Sequence, residues 1–332
     1  MEKFKEAIEK EYGFFVKTID LIRSSDDNDT YKITTERGIY FGRFGKREIK
    51  DLVETGFELR FLHYLQNAGL PVAGVIPNKI GDLSVVIGNK TGAVFEWITG
   101  ESTSVSPGNY LSAGKVYQAG KTLAALHNAS ATYDVVQEPK RMVITELERV
   151  VSLRDEVVGK YENGDEFIDL AERMIEFAHS YSDRGSILIH NDYRPHNVLF
   201  GTGGSDAVVG VVDFDWICKA PPIKDLALAL VEWSFADGDN AFHHESFVSF
   251  LRGYQEFVAD RNILKDFSAL NQWIQFSCLS DAATYVSDCI TSEKERGVLV
   301  HEQPKILKSY MLSKLKHFGT VDIKDLLADN IQ

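Results

Sequence analysis

The chain predicts an α+β fold in which a small β-rich region precedes a larger, mainly helical one. Three observations carry that prediction. Short apolar runs separated by turn clusters fill residues 14–98, helical spacing takes over from Ser112, and a polar loop joins two apolar runs between Ile189 and Phe200. At 332 residues the chain is long enough for two lobes around one cleft, expected at 1–98 and 99–332.

The elements follow in order. Phe14 to Ile22 reads as a strand, Ser24 to Asp29 as a turn cluster, and Thr30–Thr35 with Gly38–Phe44 as paired strands. From Glu48 to Asn67 the apolar positions Leu52, Val53, Phe57, Phe61, Leu62 and Leu65 recur at helical spacing. Gly69 and Pro71 stop that helix. Strands are expected at Val72–Ile80 and Leu83–Ile87, and Gly92 to Gly100 reads as a strand running into a loop. Ser112 to His127 carries Val116, Ala119, Leu123, Ala124 and Leu126 on one stripe. Further amphipathic helices are expected between Glu138 and His179, a hairpin turn at Gly201–Ser205, and a helix over Ser268–Ile290.

Composition narrows the functional classes. Hydrophobic residues make up 44% and aromatics 11%, which fits a packed core. The net charge of −13, with no Lys/Arg block, argues against nucleic-acid backbones and anionic membrane surfaces as partners. Cys218, Cys278 and Cys289 are odd in number and lack disulfide or zinc spacing. Met1 to Glu6 reads as the start of a charged amphipathic helix, not a signal peptide, and no apolar run reaches the roughly 20 residues that span a bilayer. A cytoplasmic protein with small-molecule partners is the expectation; the oligomeric state stays open.

The chemistry lies in His190-Asn191-Asp192-Tyr193-Arg194-Pro195-His196-Asn197 and in Val211-Val212-Asp213-Phe214-Asp215-Trp216. Phosphoryl transfer needs a carboxylate to receive the hydroxyl proton, and an Asn and an Asp to hold Mg²⁺ on the phosphates. Those residue types occur here in that order. A polar hairpin with an incidental His and Asn is the plainer alternative.

The two motifs resemble the aminoglycoside phosphotransferase and choline kinase superfamily, which includes type II homoserine kinases. The resemblance covers most of the chain, from about Thr30 to the last helix; it is specific at Ile189–Asp215 and loose elsewhere. It implies a two-lobed protein-kinase-like fold and a phosphotransferase that uses ATP and Mg²⁺ on an alcohol group of a small molecule. Carried over, Asp192 is the catalytic base, Asn197 and Asp213 are Mg²⁺ ligands, and Asp215 is a possible helper. Tyr40-Phe41-Gly42-Arg43-Phe44 is similar to the family's third strand, so Arg43 would reach the phosphates, with Glu58 as its partner on the following helix. A solvated surface ion pair is the alternative for both. Glu96, Trp97 and Ile98 stand at the family's adenine hinge, although a plain edge strand reads the same way. The turn at Ser24–Asn28 occupies the nucleotide loop but contains no glycine. His127, closing Gly120-x-x-Leu-Ala-x-Leu-His, is expected to be structural, and Asp225 to brace the catalytic loop or to cap a helix.

The acceptor is less legible. Asp213, Asp215, Asp225, Glu232, Asp237, Asp239 and Glu245 face only Lys219 and Lys224 in that stretch, and Ser268–Ile290 contains no Lys or Arg. An amino alcohol or amino sugar held by carboxylates and by Trp233, Trp273 and Tyr285 is the expectation. A solvated acidic face is the plain alternative. Homoserine-kinase-like, protein Ser/Thr kinase and pseudokinase activities remain as rivals.

Overall fold

The computed structural model describes residues 2–24, 28–45, 52–106, 108–135, 139–181, 185–236, 242–264 and 267–296, with Lys314 and His317. Helix α1 (Glu2–Tyr12) leads into strands β1 (Val16–Ser24), β2 (Asn28–Thr35) and β3 (Ile39–Gly45), then helix α2 (Leu52–Asn67). Strands β4 (Val75–Ile76), β5 (Val85–Ile87) and β6 (Lys90–Glu96) complete an antiparallel sheet ordered β1-β2-β3-β6-β4, with β5 also on β6. Strict alternation along β2 turns Tyr31 and Ile33 inward. There they meet Ile8 and Tyr12 of α1, with Phe14, Phe44 and Val94, in a small core.

The expected strand over Val72–Ile80 is only two residues of pairing, and that over Leu83–Ile87 is three. Asn78 explains the break in the first. Its side chain accepts from the Ile80 and Asp82 backbone N–H groups and folds the chain into a turn. Half of the expected turn at Ser24–Asp29, residues 25–27, and the expected helix start at 48–51 lie outside the described residues.

The rest is mainly helical: α3 (Ala113–Ser130), α4 (Thr145–Val151), α5 (Arg154–Lys160), α6 (Gly164–Tyr181), α7 (Pro222–Ser234), α8 (His244–Phe257) and α9 (Phe267–Arg296). Short strands β7 (Glu101–Ser102), β8 (Ile187–Ile189), β9 (Val198–Phe200), β10 (Val208–Val211) and β11 (Cys218–Ala220) sit among them. They pair as β10-β9-β7 and β11-β8. The turn between β9 and β10 uses Gly203 and Gly204 at φ 72° and 80°, the left-handed region where glycine carries no Cβ penalty. Among the described residues no helix is long and apolar enough to cross a membrane.

One large apolar core joins these helices. It also includes Phe57, Leu59, Phe61, Leu62 and Leu65 of α2, so α2 is packed as much with the helical region as with the sheet. A parallel bridge between Val72 and Val211, with the Val211 N–H donating to the Pro71 carbonyl at 2.7 Å, fastens the end of α2 to β10.

Candidate active site

Asp192 and Asn197 stand on the loop between β8 and β9, and Asp213 follows β10. Antiparallel pairing of Val198 with Val211 brings the two segments together. The Val212 N–H donates to the Asn197 carbonyl at 3.0 Å, and His190 Nε2 lies 3.1 Å from the Val212 carbonyl. That hydrogen bond fixes the tautomer with Nε2 as donor, which frees Nδ1 to accept from the Asp192 N–H at 3.3 Å. Asn197 Nδ2 donates both to the Asp192 carbonyl, at 2.9 Å, and to its carboxylate Oδ2, at 2.8 Å. The other Asp192 oxygen accepts from Arg194 Nε.

Two residues here hold unusual backbone angles. Asn191 has φ 62° and Asp213 φ 66°, both in the left-handed region that costs most side chains free energy. Each is held by its surroundings. Asp225 accepts the Asn191 N–H at 2.9 Å and the His190 N–H at 3.0 Å. Phe214 stacks against the His190 ring, with centroids 4.4 Å apart.

Asp225 is fully buried and makes no cap bond at the start of α7, so loop bracing is the observed arrangement. His127 Nε2 lies 3.1 Å from its carboxylate, and His127 Nδ1 lies 2.7 Å from the Tyr254 hydroxyl. Burial pushes the Asp225 carboxyl up, but the His127 hydrogen bond and the electrostatic influence of His127, His190 and Lys224 outweigh it and hold the group below its ordinary value. His127 is thus built into the interior, as expected.

Arg43 points from β3 into the space between sheet and helices. It pairs with Glu58 of α2 and also with Asp215. Its guanidinium lies 5.7 Å from the Phe95 ring centre. Burial alone would favour a neutral Arg43, yet Glu58 and Asp215 keep it firmly protonated. Burial, assisted by Asp215, pushes the Glu58 carboxyl up to about 7 against the pull of Arg43. Burial and Asp215 likewise raise the Asp213 carboxyl, again against Arg43. The sequence pairing of Arg43 with Glu58 is matched by contact. Asp215, expected as a possible helper of the metal ligands, pairs with Arg43 and stands near enough to Asp213 to raise its carboxyl.

Glu96 closes β6 opposite Tyr40, and its N–H already donates to the Gly74 carbonyl at 2.7 Å. Trp97 is partly exposed and stacks under Lys32, 5.4 Å from its ring centre. Ile98 lies where a side chain at Gly210 would clash, so it packs over the sheet of β9 and β10.

Beside Asp192 opens a cavity of about 370 Å³. Its wall is one stripe of α9, with Ser277, Ser280, Asp281, Thr284, Tyr285 and Asp288; its floor holds Asn191, Arg194 and Lys224; Trp216 and Arg141 stand at its side. The unbalanced acidic field expected from the sequence is absent here. Arg194 spans three carboxylates, bonding Asp192, Glu232 at 3.1 Å and Asp281 at 2.6 Å. Glu232 also accepts from Lys314 at 2.9 Å, Asp288 pairs with Arg149 at 2.6 Å, and Glu146 with Arg141 at 2.6 Å. Glu245 is exposed on α8, and Asp237 and Asp239 lie outside the described residues. Trp233 and Trp273 are fully buried in the core and do not line this cavity; Tyr285 alone of the expected aromatics reaches it.

Sequence reasoning missed Arg194, Lys224 and Arg141. Arg194 pairs with a residue 87 positions away, which no local pattern marks. Lys224 did carry a signal: it is the one cation in the otherwise buried run of α7.

A model of the phosphotransferase enzyme family matches residues 18–260, and the chain belongs to that family. A homoserine kinase of Caulobacter vibrioides is 24% identical over 270 residues, covering 77% of this chain and 80% of the relative. Among solved structures, an amicoumacin kinase in complex with AMP-PNP and Ca²⁺ superposes with a TM-score of 0.66 at 16% identity, covering 99% of this chain and 93% of its own. A microcompartment-associated aminopropanol kinase superposes at 0.61 and 18%, covering 100% and 99%. The protein is a phosphotransferase with an alcohol group as acceptor, on a protein-kinase-like fold.

Proposed function

We propose that this enzyme transfers the γ-phosphoryl group of ATP, with Mg²⁺, to the hydroxyl of a small amine-bearing alcohol in the cavity beside Asp192. The carrying observation is that the pairing of β9 with β10 brings Asp192 and Asn197, hydrogen-bonded to each other, near Asp213, with Asp192 lining the cavity. Asp192, held from both sides by Asn197 and Arg194, orients the acceptor hydroxyl and receives its proton as the phosphoryl group leaves ATP.

Among the described residues no three His, Cys, Asp or Glu side chains are grouped to hold a metal by themselves. Magnesium needs less than that, because it is commonly bound by one or two carboxylates together with phosphate oxygens. The donor set fits: Asp213 offers a carboxylate, and Asn197, whose amide nitrogen is committed to Asp192, offers its Oδ1. When bound, the metal neutralises phosphate charge. Arg43, fixed by Glu58, contributes further positive charge to the phosphates. Residues Glu96–Ile98 cover the adenine with backbone groups. The lobe boundary then falls near residue 98.

A small acceptor suits the cavity volume, and Asp281 and Glu146, although each is already paired with an arginine, are the carboxylates of its lining that an amine would meet. Homoserine and aminopropanol, named in two of the relatives, are both small amine-bearing alcohols. A protein substrate is disfavoured by β11, which pairs with β8 directly after the Asp213 segment and leaves no extended activation segment there.

The test is ATP consumption against amino alcohols, hydroxy amino acids, aminoglycosides and sugars. Asp192→Asn is expected to lower kcat by about 10²-fold or more while nucleotide binding persists. Full activity of that variant on the best acceptor would overturn the assignment.

A further inference from the structure

The acceptor cavity contains a buried cation with no carboxylate within ion-pair distance among the described residues; Asp225 and Asp281 act on it only from farther away. Lys224 is only 3% exposed. Its ammonium donates to the Asn191 amide oxygen, a neutral acceptor, and it forms no ion pair among the described residues. Every other charged group on that floor and wall is matched: Arg194 by three carboxylates, Glu146 by Arg141, Asp288 by Arg149. An unpaired ammonium held out of water is expensive, and proteins normally supply a counter-charge. Burial accordingly depresses the Lys224 amine below its ordinary value.

A second polar group on the same cavity is also unmet. The Ser277 hydroxyl of α9 is buried and, among the described residues, has no hydrogen-bond partner. Buried hydroxyls seldom stay unpaired. An ammonium with protons to spare and an idle hydroxyl on the lining of one cavity form a donor set for an anionic oxygen group.

We infer that Lys224 and Ser277 form a carboxylate subsite within the acceptor cavity, so that the acceptor is a zwitterion: a hydroxyl-bearing amino acid, not a simple amino alcohol. The acceptor's carboxylate becomes the counter-ion that Lys224 lacks, and its amine keeps the cavity carboxylates proposed above. The inference rests on the reading of that cavity as the acceptor site. An anionic group there could instead be the transferred phosphoryl group, and the test separates the two.

The matched probes are homoserine and 3-aminopropan-1-ol, which differ by one carboxylate. Thermal stabilisation of the full chain by each is measured without ATP, and kcat and KM are measured with ATP. The wild type is expected to be stabilised by homoserine at concentrations roughly tenfold to a hundredfold below those needed of the amino alcohol, the range one hydrogen bond to a charged group supplies. Lys224→Met is expected to raise the homoserine KM by a similar factor with a much smaller change for the amino alcohol, and Lys224→Arg to recover part of the loss. Ser277→Ala, at a site with no protein partner to lose, is expected to raise the homoserine KM severalfold. Retained stabilisation by AMP-PNP verifies that each variant is folded. Equal or better binding of the amino alcohol by the wild type would overturn the inference. So would an equal loss of kcat for both probes in Lys224→Met, which would assign the lysine to the phosphoryl group. Homoserine binding without any phosphoryl transfer would support the subsite while overturning the kinase reading of the cavity.

Discussion

Arg43 shows how one side chain joins distant segments. It leaves β3, meets Glu58 from α2 and Asp215 from beyond β10, and is largely shielded from solvent. A guanidinium can satisfy both carboxylates and still present N–H groups to a phosphate, because its donors fan out in a plane. Replacing Arg43 with Ala is therefore expected to raise the KM for ATP by tenfold or more, on the order of 1.5–3 kcal/mol for a charged hydrogen bond. Arg43→Lys recovers much of that as a point charge. Nucleotide titrations of the two variants check both statements. The pairing of Arg43 with Glu58 was legible through the family resemblance, which set Arg43 on the third strand and Glu58 on the helix after it. Arg194 was not. Its partners Glu232 and Asp281 come from two other helices, and only the folded chain reveals that it neutralises the acids that looked unbalanced in one dimension.

Helices α3 and α8 touch through glycine. A Cβ on Gly120 would lie 2.1 Å from the Phe250 carbonyl oxygen, and one on Gly253 would lie 2.1 Å from the Tyr117 carbonyl oxygen. Both obstacles are backbone, so neither can swing aside. The two helices thus approach backbone to backbone, which seats Tyr254 against His127. Gly120→Ala is expected to lower stability by about 1–3 kcal/mol, as overpacked interiors do, although alanine is the better helix former. A thermal melt reads the sign: stabilisation would show that the helices can part without loss. The helices were legible from apolar spacing, whereas β4 was overextended because Asn78 takes its neighbours' N–H groups into a turn. Periodicity reports which residues want burial; it does not report where a side chain will steal a backbone donor.

Across the whole molecule, Asp225 ties α3, α7, α8 and the catalytic loop together through His127, Tyr254, His190 and Asn191. Its carboxyl is held below the ordinary value of 3.8. A depressed carboxyl contributes stability that is fully present above the unfolded value and is lost as pH falls through the folded one. Asp225→Asn is thus expected to melt several degrees below the wild type at neutral pH, with the gap narrowing once pH drops below 3.8. Parallel melting curves from neutral to acid pH decide it; a gap that widened in acid would contradict the sign. At this scale the order of sheet, then helices, with a catalytic loop between short strands, was legible because each step is local. That α2 shares its apolar core with the helical region was not, since Phe57, Leu62 and Leu65 read the same whichever side they face.

The wall of the proposed acceptor cavity has a longer-range consequence. Ser277, Ser280, Asp281, Thr284, Tyr285 and Asp288 occupy one face of a single 30-residue helix, at spacings that stack them in register. Asp192, Asn197 and Asp213 are positioned by other segments of chain. Under the proposed function, drift along that face would trade one acceptor for another by single replacements while leaving the phosphate chemistry untouched, with one exception. Asp281 is tethered through Arg194 to Asp192, so it is the position where a change of diet would also disturb the engine.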